Sequence, residues 1–194
     1  MSTKRTRALT LLACGGLLVL TFGVPDGQAA KDLSDKSVRL LMAYAWGITP
    51  NKFTYPSGKT VTVDRAKPKQ SMVPLDDARR IIKIGRLSAH AERCSLTNAL
   101  LANFKTLVRT ETKSKKWSEQ QLLYIRNLHN FTVGFLNGNV KLIHDPDSGE
   151  KKVVFEAPGI RKADTCTEAE KNKISKLIGK YICEVDPKSV EGCS

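Results

Sequence analysis

The chain has 194 residues, of which 41% are hydrophobic and 26% are charged. That length suits a single domain and is sufficient to bury a hydrophobic core. The apolar fraction is too high for a disordered chain, and 13 glycines and 8 prolines are too few for a collagen-like or linker-like composition. Lysine and arginine number 32 against 19 acidic residues, so the formal net charge is +13 and favours an anionic partner.

The N-terminal segment has the pattern of a secretory signal peptide. Three basic residues at positions 4–7 precede an apolar run over 8–24, and Pro25 and two adjacent alanines follow. The run is shorter than the roughly 20 residues that a membrane-spanning helix needs. We therefore predict a signal peptide over residues 1–29 and a single exported domain over residues 30–194.

Two alternatives to this cleavage stay open. The segment also fits an uncleaved anchor, and Leu11–Cys14 resembles a lipobox, whose cysteine would be acylated. Cleavage after residue 29 would remove three basic residues and Asp26, which lowers the net charge from +13 to +11. The basic character would therefore belong to the mature protein in its periplasmic or secreted location.

The first predicted elements of the mature chain are a helix and a β-hairpin. The helix lies between a candidate N-cap, Ser34, and Gly47, and its apolar residues recur at helical spacing at Val38, Leu41, Met42 and Ala45. In the hairpin, apolar and polar residues alternate on both sides of a turn at 56–59. The alternating apolar residues are Phe53, Tyr55, Val61 and Val63.

A basic loop broken by Pro68 leads to a second helix, which should begin at Pro74. The loop carries Arg65, Lys67 and Lys69. The apolar stripe of the helix consists of Ala78, Ile81, Ile82, Gly85 and Ala89. Its opposite face carries Arg79, Lys83, Arg86 and His90. Because residues 85, 88 and 89 are small, another helix should be able to approach this helix closely.

A third helix should run from about Leu96 to Thr110. Its inward residues are predicted to be Leu96, Leu100, Phe104, Leu107 and Val108. Ser95 either caps this helix or lies inside one long bent helix that also contains the second one.

The fourth helix has the clearest start in the sequence. Ser118 and Gln121 have the spacing of a capping box, and Trp117 and Leu122 are placed to staple the first turn. The inward residues should be Leu122, Ile125, Leu128, Thr132, Val133 and Leu136. Residues 137–138 suit a C-cap.

A second hairpin and a last helix complete the predicted elements. The hairpin pairs residues 140–143 with 152–155 around a turn at 145–149. The helix follows a capping box formed by Thr165 and Glu168. Its apolar face consists of Ile174, Leu177, Ile178 and Tyr181.

The sequence therefore predicts a mainly α protein, a helical domain of about five helices with two small β-hairpins, stapled by disulfides. The mature chain keeps four cysteines, which should form two disulfides in an oxidising compartment: Cys94, Cys166, Cys183 and Cys193. Cys166 and Cys183 bracket the last helix, which separates them by about 25 Å, too far for a bridge. Cys94 pairs with either Cys166 or Cys183, and the first pairing is favoured because Cys183 and Cys193 then close a short loop.

Two polar residues on apolar helix faces are the candidates for catalysis. Glu92 projects onto the stripe of the second helix, and His129 lies between Ile125 and Val133. In a cleft, such a pair would exchange protons, with burial raising the pKa of Glu92. The structural alternative, which we favour, is a pair of hydrogen-bonded core residues that fix the helix register.

Patterns typical of metal sites are weak, and no metal or other cofactor is predicted. Asp145, Asp147 and Glu156 occupy three positions of a calcium loop, but its turn glycine is displaced, so a plain hairpin turn is favoured. His90 and Cys94 have the spacing of two helical metal ligands, but a disulfide-bonded cysteine cannot act as a thiolate ligand. We therefore expect these residues to be structural.

The common catalytic signatures, such as the Gly-x-Ser-x-Gly elbow and the P-loop, are absent from the sequence. We therefore predict a non-catalytic binding or assembly protein of the cell envelope that recognises an anionic envelope component or an acidic protein, with peripheral membrane contact and no nucleic acid. The candidate binding residues are Arg65, Lys67, Lys69, Arg79, Lys83 and Arg86. The alternatives are a merely solvated basic surface and a small envelope hydrolase with Glu92 as general acid assisted by His129.

Overall fold

The computed structural model of the chain describes residues 33–144, 151–155, 166–189 and 193. These residues form six α-helices and two antiparallel β-hairpins. The predicted mainly helical fold is confirmed. The predicted signal peptide, its alternatives and the acidic residues of the weak calcium pattern lie outside the described residues.

The five predicted helices are all present, together with one short helix that was not expected. The helices are α1 (Asp35–Gly47), α2 (Pro68–Ser71), α3 (Leu75–Arg93), α4 (Thr97–Lys113), α5 (Glu119–Leu136) and α6 (Glu168–Val185). The strands are β1 (Lys52–Thr54), β2 (Thr60–Thr62), β3 (Val140–His144) and β4 (Lys151–Phe155). The short helix α2 replaces part of the predicted basic loop, because Pro68 occupies its first turn, where the ring presets a helical φ.

The first hairpin forms as its alternating pattern predicts. Phe53 of β1 pairs with Val61 of β2, and Gly58 adopts a φ of +83° in the turn. Val61 and Val63 are buried, and the partly buried Trp46 and Tyr55 pack against the small cluster that these valines form with Leu123. The second hairpin pairs Val140 with Phe155.

The boundary between α3 and α4 corrects both predictions for Ser95. This residue has a φ of +58°, which ends α3, so the chain does not continue as one bent helix. Ser95 does not cap α4 either, since its N-cap residue is Leu96. Leu96 N–H donates to Ala91 O at 2.8 Å across the break, which satisfies a carbonyl at the end of α3.

Capping boxes begin both α5 and α6, as predicted, but the second box lies two residues later than expected. Ser118 and Gln121 form the box of α5, and Thr167 and Glu170 form that of α6. The sequence offers the same spacing at Thr165, but a helix that begins after Thr167 leaves Cys166 outside the helix, where it can reach Cys94.

The main core lies between α1, α3 and α5. The predicted stripe of α3 is fully buried there, and the largest side chains contributed by α5 are Tyr124 and Phe131. The small residues of α3 allow the close approach that was predicted: a Cβ atom at Gly85 would lie only 3.0 Å from Cβ and Cγ2 of Thr132 on α5. A larger residue at position 85 would therefore have to displace Thr132 at this helix crossing.

On α4, α5 and α6 the buried face agrees with the prediction only in part. Leu107 is buried on α4 as expected, but three polar residues share its buried face: Asn103, Thr106 and Glu111. On α5, Ile125, Leu128 and Thr132 are buried as predicted, but Leu136 is 41% exposed. On α6, Leu177 is 44% exposed. The α6 helix buries Ile178, as predicted, together with Ile182, in a separate cluster with Ala91 of α3.

Two disulfides connect the four cysteines in the favoured arrangement. Cys94 pairs with Cys166 at a Cα–Cα distance of 5.3 Å, and Cys183 pairs with Cys193 at 5.2 Å. Bonds of this kind indicate an oxidising environment. The first one ties the C-terminal end of α3 to the residue before the N-cap of α6.

Candidate functional site

A groove of about 570 Å³ lies beside the Cys94–Cys166 disulfide, between α3 and α6. Its lining consists of Leu87, His90, Arg93, Cys94, Cys166, Glu170, Lys173, Ile174 and Leu177. We call this cavity the α3–α6 groove. Its volume is within the range of about 300–1,000 Å³ that is typical of small-molecule sites.

Hydrogen bonding defines the state of the polar residues in the α3–α6 groove. Arg93 Nη2 donates to His90 Nδ1 at 2.5 Å, so a neutral His90 carries its proton on Nε2. Burial, followed by the charges of Arg93 and Arg86, lowers the pKa of His90. His90 is therefore a neutral hydrogen-bond donor at pH 7.

The one carboxylate in this lining is already used by the helix cap. Thr167 N–H donates to Glu170 Oε2 at 2.8 Å, and the Thr167 hydroxyl donates to the same oxygen at 2.9 Å. These bonds, the backbone one foremost, lower the pKa of Glu170. Together with Arg93 and Lys173, the ionised Glu170 gives the lining a net charge of +1.

A second groove, of about 710 Å³, runs along α6. Its lining consists of Lys173, Lys176, Leu177, Lys180, Cys183, Glu184 and Cys193. The two grooves share Lys173 and Leu177. The α6 helix therefore presents a row of exposed lysines beside an exposed leucine.

The predicted basic loop is partly engaged within the chain. Arg65 Nη1 donates to the carbonyls of Trp46 and Thr49 at 2.7 and 2.9 Å, and its guanidinium lies 4.4 Å from the Trp46 ring centroid. Lys67 Nζ lies 3.7 Å from Asp64 Oδ2, and Lys69 is exposed. Arg65 thus stabilises the end of α1, a role that its sequence position did not indicate.

The predicted basic face of α3 is also partly engaged in contacts within the chain. Arg79 donates to the Leu33 carbonyl and pairs with Asp35, and only 18% of its side chain is exposed. Lys83 is exposed and Arg86 is half-buried. The charge of Arg86 acts on His90 at the edge of the α3–α6 groove, so this end of the predicted face adjoins the groove.

The structure does not bring the candidate pair Glu92 and His129 together. Glu92 is exposed, contrary to the prediction, and accepts a hydrogen bond from Asn137 Nδ2. His129 is buried as predicted, and its ring nitrogens contact Ser88 Oγ at 2.9 Å and Asn130 Oδ1 at 3.1 Å. Burial lowers the pKa of His129 to about 4, so its imidazole is neutral at pH 7.

The surroundings of His129 form a directed chain of hydrogen bonds. Asn103 Nδ2 donates to Ser88 Oγ at 2.8 Å and to Ile84 O at 2.9 Å. Ser88 Oγ is then free to donate to His129 Nε2, and Nδ1–H donates to Asn130 Oδ1. The burial of Asn103 and the hydrogen bonds of Ser88 were not predicted, because the bonded residues belong to three different helices.

The described residues show neither a metal site nor a membrane span. No group of three or more His, Cys, Asp or Glu side chains among them is placed to hold a metal ion. In the part of the chain that the structure describes, no helix has the length and apolarity needed to cross a membrane. Comparison with protein-family models, curated proteins and solved structures finds no significant match to the chain.

Proposed function

We propose that the protein is an exported, non-catalytic binding or assembly factor that recognises an anionic component of the cell envelope. The observation that carries this proposal is the row of exposed lysines on α6, Lys173, Lys176 and Lys180, which borders both grooves. The two disulfides support a location outside the reducing cytoplasm. Export by cleavage near Ala30 belongs to the same proposal, and N-terminal sequencing of the native protein tests it.

The hydrolase alternative has less support from the geometry. It requires a carboxylate withdrawn from water and within reach of a proton-transfer partner. Glu92 is exposed and bonded to Asn137, and His129 is enclosed by Ser88, Asn130 and the Phe104 ring. Binding by charge is therefore the hypothesis to test first.

The test replaces the three α6 lysines by glutamine and measures co-sedimentation with anionic vesicles and with isolated envelopes. Each lysine near an anionic surface contributes ~1 kcal/mol, so the triple variant should bind roughly 100-fold more weakly. The matched control removes the same charge from three exposed lysines elsewhere: Lys36, Lys105 and Lys113. It should lose much less affinity.

Salt provides a second readout on the unaltered protein. Exposed charges are screened beyond about 8 Å at physiological ionic strength, so raising the salt should weaken the association. Association that is insensitive to salt, or that falls equally in the α6 variant and the control, would contradict the proposal.

A further inference from the structure

We infer that the α3–α6 groove binds a small monoanionic amphiphile, that is, a single carboxylate group carrying an alkyl chain. This inference rests on the proposed function and specifies its ligand class. The anionic group lies at Arg93 and Lys173, and the chain lies along the apolar residues of the groove.

The charge of the groove suits one negative charge. Two cations and one carboxylate line it, and His90 adds a neutral N–H donor. Because Glu170 is held in place by the helix cap, its charge stays in the lining and would repel a second anionic group. A monoanion is therefore a better match than a polyanion.

The remaining lining suits an alkyl chain. Leu87 and Ile174 are partly buried and pack against the cluster of Ala91, Ile178 and Ile182, so they form a fixed apolar floor. Leu177 is 44% exposed and lies in the lining of the groove, so it is accessible to a ligand. An alkyl chain would cover Leu177 and remove it from water.

The walls of the groove are covalently connected. The Cys94–Cys166 disulfide joins α3 to the start of α6 within the lining itself. A groove held in this way needs little reordering when a ligand enters, and the affinity is correspondingly higher.

The experiment measures dissociation constants by isothermal titration calorimetry for alkyl carboxylates of increasing length, below their micelle concentrations. Each methylene buried in the groove should tighten binding about fourfold. The uncharged alcohol of equal length should bind about fivefold more weakly. Acetate and inorganic phosphate, which lack a chain, should show no binding.

Two variants with matched controls locate the ligand. Lys173→Gln should weaken carboxylate binding about fivefold and leave alcohol binding unchanged. The control Lys105→Gln, at an exposed lysine of α4 that lines neither groove, should have no effect. Leu177→Gln should reduce the dependence on chain length, and Leu101→Gln, at an equally exposed leucine of α4, should not. Circular dichroism checks that each variant is folded.

The outcomes separate the inference from the proposed function. Equal affinity for carboxylate and alcohol, independence of chain length, or equal effects of Lys173→Gln and Lys105→Gln would overturn the amphiphile site. If any of these results is found while the triple α6 variant still loses envelope association, the proposed function stands and only the inference fails. Carboxylate binding in the groove without salt-sensitive envelope association would overturn the proposed function instead.

Discussion

The buried imidazole of His129 should make the stability of the fold depend on pH. In the folded protein its pKa is lowered to about 4 by burial, and in the unfolded chain it returns to its ordinary value of 6.5. As the pH falls, the unfolded state therefore binds a proton before the folded state does, and stability decreases. The decrease belongs to the window between pH 6.5 and 4.

The structure explains why protonation is unfavourable in the folded state. Ser88 already accepts a hydrogen bond from Asn103, so its hydroxyl proton points to His129 Nε2. A proton on Nε2 would reverse this bond and place a charge in a site that is only 2% exposed. Between pH 7.5 and 5.0, the linkage amounts to about 2 kcal/mol of lost stability.

Urea unfolding followed by circular dichroism at pH 7.5 and pH 5.0 measures this loss. His129→Gln lacks the titrating group and should lose about 2 kcal/mol less over the same interval. His90 also has a lowered pKa, but its contribution is common to both proteins and cancels, and His90→Gln should keep most of the decrease. The carboxylates of Asp77 and Glu170 also stabilise the fold when they are ionised, and their ordinary pKa values are 3.8 and 4.5. The measurements stop at pH 5.0, above both values, so that the loss of stability reports mainly on His129.

A direct titration keeps the reasoning testable if His129→Gln does not fold. The imidazole resonances of His129 in the wild-type protein should titrate near pH 4, well below those of an exposed histidine. Titration near pH 6.5 in the folded protein, or an equal loss of stability in wild type and His129→Gln, would refute the assigned chain of hydrogen bonds.

Two further predictions concern packing and covalent links. Gly85→Ala should destabilise the fold by about 1–2 kcal/mol in thermal or urea unfolding, because the contact with the β-branched Thr132 outweighs the gain in helix propensity. Gly179→Ala, with no atom within 4 Å of the added Cβ, should stabilise the fold by about 0.5–1 kcal/mol. Equal signs would refute the close crossing. Replacing both cysteines of Cys94–Cys166 by alanine should lower the free energy of unfolding by about 4 kcal/mol. The same replacement at Cys183–Cys193 should lower it by about 3 kcal/mol or slightly less, because this bridge closes a shorter loop. The reverse order would contradict the loop-entropy argument.

Local sequence patterns predicted those parts of the fold that depend on neighbouring residues. The Ser118 capping box and the apolar stripe of α3 need no information from elsewhere in the chain, and the structure has both. The buried face of α4 was not predictable in this way, because Glu111 is buried only where Arg80 and the Trp117 indole can bond its two oxygens. Hydrophobic periodicity describes one helix at a time, so it cannot predict a polar residue that is buried by bonds to other parts of the chain.

The candidate site shows the same difference between local sequence patterns, which were predictable, and contacts between distant residues, which were not. Glu92 follows the helical period of the α3 stripe, but it lies at the end of the helix, where the core no longer covers that face. The α3–α6 groove, in contrast, joins residues about 80 positions apart, and the predicted Cys94–Cys166 pairing was the one sequence feature that indicated their proximity. The apolar periodicity of α6 was assigned to a single buried face, so the exposure of Leu177 was missed.

The attachment of α6 also determines how this helix opens. Its buried residues, Ile178 and Ile182, lie in a small cluster apart from the main core, which α6 contacts through the partly buried Tyr181. The helix is held at both ends, by Cys94–Cys166 at its start and by the ion pair between Arg109 and Asp186 at its end. If the helix detaches, its N-terminal end stays bonded to α3, so the tether is much shorter than the polypeptide alone would give, and rebinding is favoured. Amide hydrogen exchange in α6 should therefore reflect brief local excursions that leave α3 and α5 protected, and reduction of the disulfide should prolong them.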